Sequence, residues 1–288
     1  MISIIICSTR KTISEILKKN IEETVGVEYE LIIIDNSSNR YTIFEAYSEG
    51  VKLSQGNYLV FMHEDIMFRS TQWGQVLCEL LTNKEIGAVG VIGSDIVLPM
   101  YFGWWKGGGV GHIIQNFKEN KMQHASYPLQ ASSVSSRDAL VLDGLFLGFR
   151  KEIFKHIEWD TITYGGFHMY DCDICMQVAT KGYKIKVLDI LIEHYSLGSV
   201  NRMFSEECIK FNIKWRDVLP LSVSDNEEKI VQNIREVINE RFVYSNYRQL
   251  ERRSFNFAIR TINSIRSLFL KVKRAVKHRV PYLLDYRK

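Results

Sequence analysis

Strand-like and helix-like segments alternate through the first 92 residues, and this alternation limits the fold more than any other feature of the sequence. Apolar runs typical of buried strands are predicted at 2–7, 29–34, 58–62 and 88–92. Apolar residues at helical spacing predict the intervening helices at 12–23, 43–53 and 73–81. Strands separated by helices pair in parallel through right-handed crossovers. The sequence therefore predicts an α/β fold with a Rossmann-like, mostly parallel central sheet flanked by helices.

Composition and cysteine usage indicate an ordinary globular protein of a reducing compartment. Hydrophobic residues make up 46% of the 288 positions and charged residues 24%, which excludes the disordered and fibrous classes. The longest apolar runs have the length of strands, so no transmembrane span is predicted. Met1 leads directly into the first strand, without the regions of a signal peptide. The five cysteines are scattered, and we expect reduced thiols in the cytoplasm.

A short polar segment, His63-Glu64-Asp65, ends the third predicted strand. Acidic side chains at the end of a buried strand are costly unless they are paired or bind a metal. In open α/β sheets this edge is also where ligands collect. We therefore expect Asp65 to hold a divalent metal ion. The alternative is that Asp65 caps a following helix and that Glu64 is simply solvated.

The middle of the chain, 94–138, loses the strand and helix periodicity. It contains a glycine-rich stretch, 103–111, followed by a polar segment, and we interpret it as a substrate loop. No Gly-Lys-Ser/Thr follows these glycines, which is unlike a P-loop. The first strand–helix turn also lacks the G-x-G-x-x-G pattern of a dinucleotide dehydrogenase.

A second acidic segment, Tyr170-Asp171-Cys172-Asp173, opens a predicted helix over 172–181. Gly182 is well placed to end this helix. A strand is predicted at 184–188, and His194 follows it.

Four of these segments, taken in order, resemble the bacterial, nucleotide-sugar-dependent glycosyltransferases of family 2 type with the GT-A fold. They are residues 7–10, 34–38, 46–65 and 170–185, so the resemblance covers roughly residues 1–200. The chain departs from the family pattern at three positions. His63 stands at the first position of the D-x-D motif, Tyr170 stands where Glu usually precedes the catalytic Asp, and Gln177 replaces the usual Arg.

The resemblance implies a bound Mn²⁺ or Mg²⁺ and a nucleotide-sugar donor. Asp65 and His194 are the implied metal ligands; carboxylate oxygen suits both ions and neutral imidazole can ligate Mn²⁺. The residues implied to contact the donor are Thr9, Arg10, Asp35, Glu64, Asp143 and Gly144. A carboxylate at Asp35 can accept the imide N–H of uracil, although Asp-Asn-Ser-Ser is also turn chemistry.

The resemblance further implies that Asp171 is the catalytic base of an inverting transfer; the alternative is a helix N-cap. Asp171 and Asp173 diverge by about 200° around a helix, so they cannot reach one proton. Asp173 is therefore expected to form a salt bridge or to contact the acceptor. The other candidates on the acceptor side are Trp104, Trp105 and His168; the two tryptophans could instead anchor the long loop.

The C-terminal segment differs in charge from the rest of the chain. Residues 248–288 hold twelve Lys or Arg and two acids, a balance of +10, so the net charge of +4 leaves −6 for residues 1–247. Apolar residues at helical spacing predict a basic amphipathic helix, which could lie on the anionic inner face of a membrane. Packing on the catalytic domain and formation of a homodimer are the alternatives. Nothing resembles a nucleic-acid-binding module.

The sequence thus predicts two domains, a GT-A catalytic domain (1–204) and a helical, basic extension (205–288). The predicted function is hexosyl transfer from a nucleotide diphosphate donor, UDP by preference, to a glycan or lipid-linked acceptor. The three departures from the family pattern leave one alternative, a catalytically idle sugar-nucleotide or glycan-binding protein of the same fold.

Overall fold

The computed structural model describes five parts of the chain, residues 1–98, 109–117, 121–127, 136–196 and 201–223. Two sets of residues from the sequence predictions, Trp104 with Trp105 and the basic segment 248–288, lie outside these parts. Within the described ranges, no helix is both long enough and apolar enough to cross a membrane.

The described residues form strands, five α-helices and one 3₁₀ helix. The strands are β1 (Ile2–Ser8), β2 (Tyr29–Asp35), β3 (Tyr58–Met62), β4 (Ile66–Phe68), β5 (Ile86–Gly90), β6 (Ile92–Ser94), β7 (Ile96–Val97), β8 (Gly109–Phe117), β9 (Lys121–Tyr127), β10 (Ser136–Ala139), β11 (Val141–Leu142), β12 (Phe146–Arg150), β13 (Lys184–Leu188), β14 (Ile192–His194) and β15 (Leu221–Ser222). The helices are α1 (Glu15–Thr24), α2 (Ile43–Leu53), α3 (Trp73–Leu81), α4 (Tyr170–Thr180) and α5 (Arg202–Trp215), with the 3₁₀ helix at Lys151–Lys155.

The central sheet has seven strands in the order β10-β13-β5-β12-β3-β1-β2. Strand β1 pairs in parallel with β2 and β3, and β13 pairs in parallel with β5. Strand β12 runs antiparallel to both β3 and β5, and β10 runs antiparallel to β13. The predicted α/β fold with a mostly parallel sheet is therefore confirmed, with two antiparallel strands added to it.

The middle of the chain, predicted as a substrate loop over 94–138, contributes strands to a second sheet instead. This sheet has the order β11-β6-β8-β14-β4, and β9 pairs with β8. The prediction was wrong for the parts of this segment that the structure describes. Glycine-rich and polar residues carry little periodicity of their own, and β8 is ordered by pairing with β6 and β14.

Local signals account for where the first helices begin. Helix α1 begins at Glu15 rather than at Thr12, because the Ser14 hydroxyl accepts a hydrogen bond from the Leu17 N–H and caps the helix. Helix α2 has the predicted bounds, and Thr42 and Glu45 form a capping box at its start. The predicted strand 88–92 is divided between β5 and β6, which belong to different sheets.

Helix α5 crosses the predicted boundary between a catalytic domain and an extension. It begins at Arg202, and its Lys214 ammonium lies 2.8 Å from the Asp173 carboxylate of α4. The sulfur atoms of Cys208 on α5 and Met169 before α4 are 3.6 Å apart. This helix therefore packs against α4, which has Asp171 in its first turn, while the division at residue 204 stays a prediction.

The order of the strands places a ligand-binding edge beside β1. This strand lies between β2 and β3, so the chain passes to opposite sides of β1 after its first and second crossovers. The loops that leave the carboxyl ends of β1 and β3 are then neighbours, which is where open α/β sheets bind their ligands.

Candidate active site

Three metal-ligating side chains converge at the carboxyl end of β3. His63 and Asp65 lie between β3 and β4, and His194 ends β14, which pairs with β4 so that His194 stands opposite Ile66. His63 Nδ1 is 3.8 Å and His194 Nε2 is 3.6 Å from the same Asp65 oxygen, Oδ1. One ligand atom from each residue lies within 4.8 Å of the others. The predicted ligands Asp65 and His194 are thus brought together, and His63 joins them.

The chemistry of this group fits a divalent cation. His194 Nε2 is buried and makes no hydrogen bond, which is costly for a polar atom unless something binds it. Burial alone would raise the pKa of Asp65, but interaction with His194 and the charge of His63 hold it below its usual value. Burial and the charge of His194 lower the pKa of His63. Despite burial, interaction with Asp65 and the charge of Asp143 raise the pKa of His194. Because a metal ligates the neutral imidazole, an ion bound here would replace that proton.

The loop after β1 is tied to the metal group by Glu64. Its carboxylate accepts hydrogen bonds from the Ser8 hydroxyl at 2.5 Å and from the N–H and hydroxyl of Thr9 at 2.9 and 2.6 Å. The Arg10 N–H donates in turn to the Ser8 hydroxyl at 3.0 Å. The alternative, in which Glu64 is simply solvated, is therefore wrong. It holds Thr9 and Arg10 beside the candidate metal ligands.

Asp35 ends β2 at the same edge of the sheet. Strand β2 pairs with β1 so that Asp35 stands opposite Ser8. Asp35 Oδ1 accepts a hydrogen bond from the Ser37 N–H at 2.9 Å, the Asx turn expected from its sequence, while the side chain remains exposed. Hydrogen bonds from the Ser37 side chain and backbone hold the pKa of Asp35 below its usual value. An ionised, exposed carboxylate at this position can accept a hydrogen bond from a ligand.

Asp171 lies in the first turn of α4, next to the turn that begins at Asp143. Its Oδ2 accepts a hydrogen bond from the Gly144 N–H at 3.0 Å, and its Oδ1 accepts one from the Cys172 N–H at 2.7 Å. Burial, with a smaller contribution from the charge of Asp143, raises the pKa of Asp171 to about 7. Met169, whose side chain makes no capping hydrogen bond, occupies the N-cap position, so Asp171 is not the N-cap of this helix. A carboxylate with this pKa is suited to accept a proton near neutral pH.

The absence of a side chain at Gly144 is explained by Tyr170. A Cβ atom on Gly144 would lie 2.0 Å from the Tyr170 hydroxyl oxygen, so only glycine allows this approach. The space in which a sugar ring was expected to approach the backbone is filled by the phenol. Asp143 keeps an accessible edge, and its Oδ1 accepts a hydrogen bond from the Leu145 N–H at 2.8 Å.

The two remaining acceptor-side candidates within the described residues have structural partners. Asp173 is only 1% exposed and forms the salt bridge that the sequence offered as one of two alternatives. It is therefore not available to an acceptor. His168 packs its ring edge-on against Phe204, with centroids 5.3 Å apart, and burial lowers its pKa despite a hydrogen bond to Asn201.

We predict that Asp173→Ala lowers the free energy of unfolding by about 3 kcal/mol, because two buried donors lose their acceptor and the half-buried Lys214 ammonium loses one of its two carboxylate partners. Lys214, the Tyr164 hydroxyl at 3.0 Å and the Trp215 indole N–H at 2.9 Å all contact this carboxylate. Urea denaturation measures the change. Asp217→Ala, at an exposed ion pair, is the control, with an expected change below about 0.5 kcal/mol. A loss below about 1 kcal/mol for Asp173→Ala contradicts the prediction.

Sequence reasoning missed the residues that contact the imidazoles. The Tyr170 hydroxyl lies 2.8 Å from His63 Nε2, so two of the three departures from the family pattern contact each other. Gln115 Oε1 lies 3.3 Å from His194 Nδ1. These pairs are 107 and 79 residues apart along the chain. No local pattern signals them, because the pairing of β14 with β8 brings His194 beside Gln115, and the position of helix α4 brings Tyr170 to His63.

Comparison with known proteins gives one match of high coverage. The profile described as "Glycosyltransferase like family" matches residues 3–204, more than half of the chain. A search of curated protein sequences finds no match.

A search of solved structures gives matches at low sequence identity and with TM-scores below 0.5. One is GalNAc-T7 with UDP, GalNAc and Mn²⁺, at 10% identity and a TM-score of 0.46, where the match covers 68% of this chain and 44% of that one. Another is the mannosyltransferase PcManGT from Pyrobaculum calidifontis in complex with GDP-Man and Mn²⁺, at 10% identity and a TM-score of 0.45, where the match covers 98% of this chain and 84% of that one. A third is A197 from STIV, at 12% identity and a TM-score of 0.40, where the match covers 68% of this chain and 85% of that one. The chain spans less than half the length of the GalNAc-T7 chain, and similarity at this level does not extend to substrates.

The profile match covers the edge of the sheet at which the candidate metal ligands and Asp171 lie. On that match, the chain belongs to the glycosyltransferase-like family.

Proposed function

We propose that the protein transfers a hexosyl group from a UDP-sugar to a glycan or lipid-linked acceptor, with inversion at the anomeric carbon. The observation that carries this proposal is the position of Asp171. Its carboxylate has a pKa of about 7 and accepts a hydrogen bond from the Gly144 N–H. Gly144 follows Asp143 and connects Asp171 to the edge of the sheet at which His63, Asp65 and His194 lie. A base and a set of metal ligands at one edge of the sheet are what an inverting, metal-assisted transfer requires.

The donor would bind across the loops after β1, β2 and β3. Asp35 would accept the imide N–H of uracil, and the loop with Thr9 and Arg10 would flank the base. Glu64 supports this arrangement, because it accepts hydrogen bonds from Ser8 and Thr9 and so fixes the loop. Asp143 would accept hydrogen bonds from the hydroxyl groups of the sugar.

His63, Asp65 and His194 would hold Mn²⁺. The bound ion would supply positive charge for the diphosphate as it leaves. The role of Glu64 is separate, because its oxygen atoms are occupied by Ser8 and Thr9.

Asp171 would act on the acceptor. Its carboxylate takes the proton of the acceptor hydroxyl while that oxygen forms a bond to the anomeric carbon. The bond from that carbon to the diphosphate oxygen breaks on the opposite side, and the leaving diphosphate takes the electron pair. One carboxylate suffices for this single displacement, which agrees with Asp173 being engaged elsewhere.

We predict that kcat/KM increases with pH through a midpoint near 7 and levels off about one pH unit above that midpoint. Asp171 must be ionised to accept a proton, and its pKa is raised to about 7. At one pH unit below the midpoint, kcat/KM should be about tenfold below the plateau. The measurement is a pH–rate profile with saturating Mn²⁺.

Asp143→Asn tests the origin of that midpoint. The charge of Asp143 contributes to the raised pKa of Asp171, so its removal should move the midpoint to lower pH, whatever its effect on the rate. An unchanged midpoint contradicts the assignment of Asp171 as the titrating base.

The experiment that tests the function is a donor screen with the full chain. A panel of UDP-sugars is incubated with and without Mn²⁺, and release of UDP is measured. When an acceptor is found, NMR of the product reports the anomeric configuration, which should be inverted. Binding of UDP without turnover of any donor, with or without a panel of glycan acceptors, contradicts the proposal.

The alternative of an idle binding protein rested on His63, Tyr170 and Gln177. The three departures are integrated into the structure: His63 contacts Tyr170, and the Gln177 amide nitrogen donates to the Glu158 carbonyl and to Asp173 at 2.9 Å each. Substitutions with specific partners support a working site over an eroded one.

We also propose that the basic segment 248–288 contacts an anionic membrane surface, which would bring the enzyme to a lipid-linked acceptor at the inner face. The support is its charge balance of +10 and its helical spacing of apolar residues. Formation of a homodimer through the same segment is the alternative.

A further inference from the structure

Each imidazole at the metal group uses one ring nitrogen to contact a residue that is not itself a candidate ligand. His63 Nε2 contacts the Tyr170 hydroxyl at 2.8 Å, and His194 Nδ1 contacts Gln115 Oε1 at 3.3 Å. The other nitrogen of each ring faces Asp65, at 3.8 Å for His63 and 3.6 Å for His194. Both rings therefore have one nitrogen held by the protein and one directed at the shared carboxylate.

The hydrogen bonds of Gln115 determine the tautomer of His194. The Gln115 amide nitrogen donates to the carbonyl oxygens of His194, at 3.2 Å, and of Ser196. The amide oxygen must then face His194 Nδ1, and it can only accept. Nδ1 therefore carries the hydrogen, and the lone pair of Nε2 points towards Asp65. This buried nitrogen makes no hydrogen bond.

The Tyr170 hydroxyl is held in place by packing around its ring. Tyr170 is 6% exposed, and its ring lies edge-on to Phe44 and Tyr47. The closeness of Gly144 leaves the hydroxyl oxygen no room to move on that side. A phenol oxygen can accept the hydrogen of His63 Nε2, which leaves the lone pair of Nδ1 directed at Asp65.

We propose that Gln115 and Tyr170 are positioning residues that orient His194 and His63, and that they make this a two-nitrogen, one-oxygen site that prefers Mn²⁺ to Mg²⁺. The proposal rests on the metal-dependent function above and adds the residues that orient its two imidazole ligands. Mg²⁺ favours oxygen ligands in strict octahedral geometry, whereas imidazole nitrogen suits transition-metal ions. Partners that fix the ring and tautomer of a ligating histidine raise metal affinity.

The first test measures Mn²⁺ binding to the full chain, by the electron paramagnetic resonance of free Mn²⁺, with and without UDP. We expect Tyr170→Phe and Gln115→Leu each to weaken Mn²⁺ binding by about 10- to 100-fold. Tyr164→Phe is the matched control, because it removes a buried hydroxyl that bonds to Asp173 on the same helix. It should leave Mn²⁺ affinity unchanged. Wild-type affinity in Tyr170→Phe and Gln115→Leu overturns the proposal, as does failure of the wild type to bind Mn²⁺ under either condition.

The second test measures selectivity, which a merely structural role would not change. Mg²⁺ competes with Mn²⁺ in the same titration, and His63→Asp replaces a nitrogen ligand with oxygen. The preference for Mn²⁺ over Mg²⁺ should decrease by about tenfold or more in His63→Asp. Tyr170→Phe should then have no further effect in the His63→Asp background. An unchanged preference in His63→Asp, or an equal effect of Tyr170→Phe in both backgrounds, overturns the proposal.

These results are independent of catalysis. If the variants behave as expected but no sugar nucleotide is turned over, the proposed transferase reaction fails and the positioning role stands. If sugar is transferred but Tyr170→Phe and Gln115→Leu bind Mn²⁺ like the wild type, the positioning role fails alone.

Discussion

Asp171→Asn is expected to lower kcat for sugar transfer by about 10²- to 10⁴-fold, with a much smaller effect on KM for the donor. The amide oxygen can still accept the hydrogen bond from the Gly144 N–H, which is 3.0 Å from the carboxylate in the wild type. The side chain therefore keeps its shape and one of its contacts. What it loses is the ability to take a proton from the acceptor hydroxyl. Steady-state kinetics with saturating acceptor measure the change.

Asp189→Asn is the matched control for this variant. Asp189 is an exposed aspartate that is not among the proposed site residues, and its carboxylate lies 3.0 Å from His112 Nε2. The kcat of Asp189→Asn should stay within about twofold of the wild type. Mn²⁺ binding by Asp171→Asn should also be retained, which separates loss of the base from loss of the fold. If Asp171→Asn keeps more than about a tenth of the wild-type kcat, Asp171 is not the base.

Asp65→Asn is expected to weaken Mn²⁺ binding by at least about a hundredfold and to abolish transfer at low Mn²⁺ concentration. Asp65 is the one carboxylate of the group identified in the described residues, and both imidazoles face its Oδ1 atom. An amide of the same size keeps an oxygen ligand but removes the negative charge that a divalent ion needs. Titration of Mn²⁺ against the variant measures the loss, and high Mn²⁺ should restore part of the activity.

Glu64→Gln is the control for Asp65→Asn, because it removes a neighbouring carboxylate charge. Glu64 bonds to Ser8 and Thr9, so we expect this variant to raise KM for the donor without changing Mn²⁺ affinity in the absence of nucleotide. Equal weakening of Mn²⁺ binding in both variants would mean that general negative charge, rather than ligation by Asp65, holds the ion.

The sequence predicted the elements whose signals are local. The bounds of α2, α3, β3 and β13 match the predictions, because helical and strand periodicity are properties of neighbouring residues. The resemblance to the family, rather than local periodicity, implied that Asp65 and His194 act together as metal ligands. Prediction from local patterns failed for β8 and β9, whose residues carry weak local signals.

Asp173 illustrates the limit of reasoning from helical spacing. Its angular separation from Asp171 showed that both could not be the base, but left two roles open. Only the packing of α5 decided between them, because Lys214 and Trp215 come from a helix that begins about thirty residues later and meet the buried face of α4.

For the segment His63-Glu64-Asp65, too, the sequence determined some features and the tertiary structure decided others. The sequence by itself determined that a polar segment ends a buried strand and that Asp65 is suited to a metal. The tertiary structure decided that His63 is a third candidate ligand, that Glu64 holds the loop of Thr9, and that Gln115 and Tyr170 contact the imidazoles. The physical reason is range: periodicity and capping act within a few residues. Hydrogen bonds between residues 79 and 107 positions apart depend instead on the register of paired strands and on the packing of helix α4, which the whole chain fixes together.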